Sequence, residues 1–180
     1  TGSVMIRIDD KHFETFITHD EILKEVIALG ATLTQDYSGK EVVFVVVLNG
    51  AFMFASDLMK STDLPCDITF VKVSSYEGME TTNKITESIG LSMDISGKHV
   101  VLIEDIVDTG NTVGYLKDLL EKLDPASVEI CSLLFKPEAY KGSSEIKYVG
   151  FSIPDAFVVG YGLDYNGKGR NLNTIYQFKN

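Results

Sequence analysis

Residues 42–48 read VVFVVVL, an almost unbroken run of β-branched side chains. Such residues favour extended backbone. A strand that shows one face to water alternates apolar and polar residues; this run has no polar face, so it has to be covered on both sides. That requirement argues against a one-sided antiparallel sheet. It calls for helices packed on each face of a mostly parallel one.

The rest of the chain supplies those helices. Thr18-His19-Asp20-Glu21 has the spacing of a capping box, with Thr18 as N-cap and Glu21 three residues on. A helix is expected from there to about Asp36, its apolar face formed by Ile22, Leu23, Val26, Ile27 and Leu33. Residues 51–60 look helical, and 68–73, 99–103 and 128–135 look like strands. Val113, Leu116, Leu119, Leu120 and Leu123 mark one face of a further helix, stopped by Asp124-Pro125. Residues 149–151 and 157–163 are further strand candidates, and 166–180 is loop-like with a short apolar element at its end. Residues 74–92 are polar, hold two glycines and have weak periodicity. A long irregular stretch of that kind predicts a lid or binding loop, here with a hairpin around Ile85 and Ile89. A length of 180 residues predicts one domain. Ligands of such α/β sheets bind at the carboxyl ends of the strands.

The net charge is −10, which opposes nonspecific nucleic-acid binding. It does not oppose a phosphorylated substrate, provided a divalent cation and backbone amides face the phosphates. Cys66 and Cys131 lie far apart and predict neither a disulfide framework nor a zinc site; Cys131, in an apolar run, is expected to be a small core residue. His12, His19 and His99 fit no site pattern and are expected to be structural or surface residues. The start shows no charged stretch followed by an apolar one, and the longest apolar runs are strand-sized. A cytoplasmic protein with no membrane partner is expected.

Residues 99–112 read HVVLIEDIVDTGNT. An apolar strand runs into Glu104 and Asp105, which side-chain alternation points to opposite sides. Magnesium favours a few carboxylates together with waters and substrate oxygens. Asp108-Thr109-Gly110-Asn111-Thr112 then opens a helix, whose free amides and dipole form an anion site. Gly110 permits the tight turn, and the two threonines add hydroxyl donors without charge, which suits a monophosphate. The lysine of an NTPase phosphate loop is missing, and no G-x-G-x-x-G occurs. A lone carboxylate at a strand end is more often merely solvated. Two acids, a turn and an amide cradle at one corner make a stronger case.

EDIVDTGNT resembles the phosphoribosyl pyrophosphate (PRPP) signature of type I phosphoribosyltransferases: two acids, an apolar pair, then D-[ST]-G-x-T after a hydrophobic strand. Leu48-Asn49-Gly50, Ser75-Tyr76, Leu134-Phe135-Lys136, Ile153-Pro154-Asp155 and residues 157–170 follow in family order, so nearly the whole chain is similar to hypoxanthine–guanine phosphoribosyltransferases. The resemblance implies the type I phosphoribosyltransferase fold, a mostly parallel twisted sheet flanked by helices. A small hood is expected from about residues 1–18 and 150–180, and a lid at about 74–92. It also implies purine salvage: magnesium-dependent transfer of phosphoribosyl from PRPP to N9 of hypoxanthine or guanine, and a homodimer or homotetramer.

Carried onto this chain, the resemblance makes Asp108 the proton acceptor near N7 of the base. Thr109, Gly110, Asn111 and Thr112 would hold the 5′-phosphate, and Glu104 and Asp105 would face the ribose hydroxyls and magnesium. Lys136 would donate to the purine O6, Phe157 would stack on the ring, and the Val158 backbone would bond its edge. Asp164 would bind a second magnesium, its backbone near the exocyclic group of guanine. Arg170 and the amides around Asn49 and Gly50 would hold pyrophosphate, and Ser75 and Tyr76 would belong to the lid. Asn49 and Asn111 stand where relatives carry lysine. In this family the peptide bond before residue 49 can be cis.

Lysine offers donors and no acceptor, which suits a 6-oxo group and leaves adenine's amino group poorly paired. Three other readings compete: an enzyme for xanthine, guanine alone or adenine; a PRPP-sensing regulator that has lost catalysis; and an unrelated magnesium-dependent, phosphate-binding α/β domain of the receiver type. The regulator would need a nucleic-acid surface, for which the chain has no basic cluster. The receiver would leave residues 74–92 and 157–170 without a role.

Overall fold

The computed structural model describes the backbone of residues 2–76 and 84–180, and the side chains of all of these except 74–76 and 84–89. Two sheets organise the described residues. The larger is built from β3 (Val42–Leu48), β4 (Cys66–Tyr76), β5 (Lys84–Ile89), β6 (His99–Val107), β7 (Ser127–Phe135) and β8 (Tyr148–Ser152), in the order β5-β4-β3-β6-β7-β8. All its pairings are parallel except the antiparallel edge pair β4–β5. The VVFVVVL run is β3, at an interior position.

Its two faces bury against different helices. Val42, Phe44 and Val46 pack with Ile22, Val26, Leu29 and Leu33 of α1 (His19–Asp36) and with Phe54 and Leu58 of α2 (Phe52–Lys60). Val43, Val45 and Val47 pack with Val113, Leu116 and Leu120 of α3 (Asn111–Glu121). Each such side chain, removed from water, contributes about 1.5–3 kcal/mol, which is why the strand tolerates no polar face. Thr18 caps α1 as its spacing predicts: its Oγ1 accepts from the Glu21 amide at 3.3 Å and donates to Glu21 Oε1 at 3.0 Å. Ile27, expected on the buried face of α1, is instead 60% exposed; Leu29 occupies the inward position. Leu123 likewise lies past the end of α3 and is exposed.

The smaller sheet has the order β1-β2-β10-β9, from β1 (Met5–Ile8), β2 (Lys11–Ile17), β10 (Ile175–Lys179) and β9 (Val158–Val159). It joins the two chain ends around Ile8, Phe13 and Val159. The strand expected over 157–163 shrinks to β9. Gly160, Tyr161 and Gly162 all have positive φ, and that backbone turns away from any ladder. The loop-like tail holds a genuine strand, β10, paired with β2 over five residues.

Residues 74–92 split. Ser75 and Tyr76 close β4 and pair antiparallel with Ile85 and Lys84 of β5, the strand that ends at Ile89. The middle of the expected lid, 77–83, and the side chains of Ser75 and Tyr76 lie outside the described residues. Cys131 is a buried free thiol, and Cys66 is also free. Among the described residues no helix is long and apolar enough to cross a membrane.

Candidate active site

Because β3, β6, β7 and β8 are parallel, their carboxyl ends meet on one edge of the sheet. Asn49 and Gly50, residues 108–112, Lys136 and Asp155 all follow directly from those ends.

The β6 strand runs past the acid pair to Val107, held by pairing of Ile106 with Leu134 and Val107 with Phe135. Glu104 therefore lies within the strand and is only 6% exposed. It opens toward the α3 side, where with residues 106–113 it lines a pocket of about 100 Å³. Asp105 points to the opposite face and lies against Gly50. Its Oδ1 accepts from the Ile106 amide at 2.8 Å. Burial, then the neighbouring Asp105, pushes Glu104 well above the usual carboxylate range. Burial also raises Asp105, to about 6, against the opposing pull of its backbone hydrogen bonds and of Arg170.

Gly110 caps α3 at φ 91 with no side-chain cap. The Asn111 amide donates to Thr109 Oγ1 at 3.5 Å, and a helix start leaves further amides without intrahelical partners, here beside the pocket that Thr109 and Thr112 also line. The ring of Tyr140 packs over Gly110, and the Lys141 amide donates to the Thr109 carbonyl at 3.0 Å. The turn is thus braced from behind.

Lys136 follows β7 and is 7% exposed. Its Nζ donates to Asp108 Oδ2 at 3.1 Å and to Asp155 Oδ1 at 3.2 Å. An ammonium has three donors, so one remains for a ligand. Phe157 is 43% exposed, its ring supported by Phe13 and Tyr165, each at 5.7 Å between centroids, and by Phe178 at 6.4 Å. Val158 is buried in β9, paired with Gln177.

Arg170 donates to the Gly162 carbonyl at 2.7 Å and pairs with Asp164 at 3.2 Å. Asp164 also accepts from the Gly167 amide at 2.8 Å. The Leu48–Asn49 peptide is cis, and Asn49 is exposed. Asn111 is exposed at the start of α3.

Two groups of expected residues come together. One is Glu104, the 108–112 turn and Lys136; the other is Asp105, Gly50, Asp164 and Arg170. Among the described residues no three His, Cys, Asp or Glu side chains converge into a protein-only metal cage. The donor set nevertheless fits magnesium. It consists of hard carboxylate oxygens; burial disfavours the ionised forms of Glu104 and Asp105, which a cation would relieve, and magnesium takes only one or two carboxylates beside waters and substrate oxygens. Asp155 as the second partner of Lys136 had no signal in spacing, since 19 residues separate the pair. Gly162 could have been suspected from the Gly-Tyr-Gly at 160–162.

The family described as phosphoribosyl transferase domain matches residues 13–166. The chain is 41% identical over 168 residues to the hypoxanthine phosphoribosyltransferase of Haemophilus influenzae, covering 91% of this chain and 94% of that one. It is 45% identical over 167 residues to the hypoxanthine-guanine phosphoribosyltransferase of Staphylococcus aureus, covering 92% and 93%. The crystal structure of a Staphylococcus aureus hypoxanthine phosphoribosyltransferase superposes with a TM-score of 0.87 at 44% identity, over 92% of this chain and 90% of that one. A mutant of the Trypanosoma cruzi hypoxanthine phosphoribosyltransferase, in a ternary substrates complex, superposes with a TM-score of 0.87 at 32% identity, over 96% and 97%. Sequence and fold agree along almost the whole chain, and the chain belongs to the phosphoribosyltransferase family, in its hypoxanthine–guanine group.

Proposed function

We propose that this protein is a purine-salvage transferase that moves the phosphoribosyl group of PRPP to N9 of hypoxanthine or guanine, releasing pyrophosphate. The observation that carries this reading is Lys136. A nearly buried ammonium, held by Asp108 and Asp155 beside an amide cradle, is placed to read an oxo group next to a phosphate.

In this reading the 5′-phosphate sits on the first amides of α3 and the hydroxyls of Thr109 and Thr112. Glu104 and Asp105 face the ribose. Phe157 offers a supported ring face for the base, the Val158 backbone meets its edge, and Lys136 gives its remaining donor to O6. Asp108 accepts the proton of the incoming base, a step worth about 10²–10⁴-fold where general bases have been measured. Arg170 and the amides at Asn49 and Gly50 hold the departing pyrophosphate, stabilising the charge that develops there. Glu104, Asp105 and Asp164 are the carboxylates that would face magnesium; a bound magnesium ion would supply charge neutralisation to the leaving group. Ser75 and Tyr76 belong to the segment we assign as a lid, which would exclude water. The whole chain acts as one domain, hooded by the smaller sheet. A cytoplasmic homodimer or homotetramer is the assembly we assign, by analogy with its relatives.

The test is nucleotide formation by the purified protein with PRPP, magnesium and each of hypoxanthine, guanine, xanthine and adenine, with Asp108→Asn alongside. IMP and GMP with little AMP, and a large loss in the variant, support the reading. No nucleotide from any base, with PRPP still bound, would make the protein a sensor instead.

A further inference from the structure

Tyr161 heads the largest fully buried side chains, at 1% exposed, yet its φ is 49°, a left-handed conformation uncommon for a residue with a side chain. Its surroundings hold it there. The hydroxyl donates to Asp57 Oδ2 of α2 at 2.5 Å, across 104 residues of chain, and the amide donates to the Leu172 carbonyl at 2.8 Å. The next residue, Gly162, lies so close to the start of α2 that a Cβ there would sit 2.1 Å from the Gly50 carbonyl oxygen. Gly162 in turn exchanges hydrogen bonds with Arg170: its carbonyl accepts from the guanidinium at 2.7 Å, and its amide donates to the Arg170 carbonyl at 2.9 Å. One buried phenol thus ties the turn carrying Arg170 to the helix that follows Asn49 and Gly50. Asp57 has a second partner, Lys60 at 3.1 Å, but that lysine is 72% exposed, and exposed pairs hold little.

We propose that Tyr161 is a positioning residue for the leaving-group end of the site: its hydrogen bond to Asp57 fixes the span between Arg170 and the residue 49–50 amides, and so sets affinity for pyrophosphate without touching it. This rests on the reading that those groups hold pyrophosphate. A hydrogen bond carries direction as well as attraction, and a binding site loses much of its effect when its parts drift by an ångström.

The experiment compares full-length Tyr161→Phe, Asp57→Ala and Asp57→Asn in both reaction directions. Loss of one hydrogen bond to a charged group predicts about a tenfold rise in KM for PRPP and pyrophosphate in Tyr161→Phe and Asp57→Ala, with KM for hypoxanthine within about twofold. Asp57→Asn keeps an oxygen for the phenol and should stay near wild type. The double variant Tyr161→Phe/Asp57→Ala should be no worse than either single change. Unchanged KM for PRPP, equal losses for both substrates, or Asp57→Asn as impaired as Asp57→Ala would overturn the proposal. Should Tyr161→Phe fail to fold, the two Asp57 variants decide. A wild-type protein that binds no pyrophosphate sinks the underlying reading and this one with it; a wild type that binds it, with no change in the variants, sinks this inference alone.

Discussion

The carboxylate of Asp105 lies against the backbone of Gly50, so near that a Cβ on residue 50 would stand 1.8 Å from Oδ2. The contact joins the end of β6 to the loop after β3, and a side chain at position 50 fits only if that carboxylate or the loop gives way.

Gly50→Ala therefore has to move either the acid or the loop. Displacements of about 1 Å at a reacting centre can cost on the order of 10²-fold. The expected result is a fall in kcat/KM of that size in steady-state assays with PRPP and hypoxanthine. A variant within about threefold of wild type would show that Asp105 can swing aside without consequence.

Lys136→Ala removes a buried ammonium whose partners Asp108 and Asp155 have side chains 48% and 65% exposed. Water can take over for those carboxylates, so the fold should survive with a modest loss of melting temperature. Base use should suffer more: losing a charged donor to the oxo group predicts roughly a 10–100-fold fall in kcat/KM for hypoxanthine and guanine. Saturation with PRPP should change little. Parallel kinetics on the two substrates check it, and an equal loss on both would remove Lys136 from base recognition.

Much of this was legible in the chain. The β3 run dictated a doubly covered sheet because no polar residue interrupts it, and the strand-to-turn corner at 104–112 exposed its own chemistry through local spacing. What failed were features set by distant partners. Residues 157–163 alternate plausibly for a strand, but Gly160 and Gly162 turn the chain to meet Gly50 and Thr174, more than a hundred residues away in one case. β1 and β2 form a local hairpin around Asp9-Asp10, with Asp9 at φ 51, and what local spacing does not show is that β10 joins β2 from the far end of the chain. Leu29, three residues after Val26 and four before Leu33, stands on the helical stripe, and Ile27 stands beside it, so the 3.6-residue period already favoured Leu29.

Gly110→Ala puts a Cβ at φ 91 and 2.4 Å from the Tyr140 ring. An L-residue in left-handed backbone costs roughly 1–2 kcal/mol, and the ring must also move. Both effects fall on the turn that opens the amide cradle. We expect a lower melting temperature together with weaker PRPP binding by calorimetry. A stability loss with unchanged PRPP affinity would separate the turn's conformation from phosphate binding.

The buried acids predict how stability responds to pH. Burial raises the folded-state carboxyl of Asp105 from 3.8 to about 6. Below about pH 4 both folded and unfolded chains hold this proton, and the group contributes nothing. Between about pH 4 and pH 6 the unfolded chain has released it while the folded chain retains it, so stability falls as pH rises through that window and levels off above it. Glu104, which burial shifts the same way, adds to this loss. Asp105→Asn has no proton to release. Its melting temperature relative to wild type should therefore climb between pH 4 and pH 6 and then hold, in thermal scans without divalent cations. Magnesium should act in the opposite sense, since a cation favours the ionised acids: it should raise the wild-type melting temperature more at pH 7.5 than at pH 5, and raise that of Asp105→Asn less. A wild type and variant that track each other across the whole range would mean that Asp105 is already ionised and solvated in the folded protein.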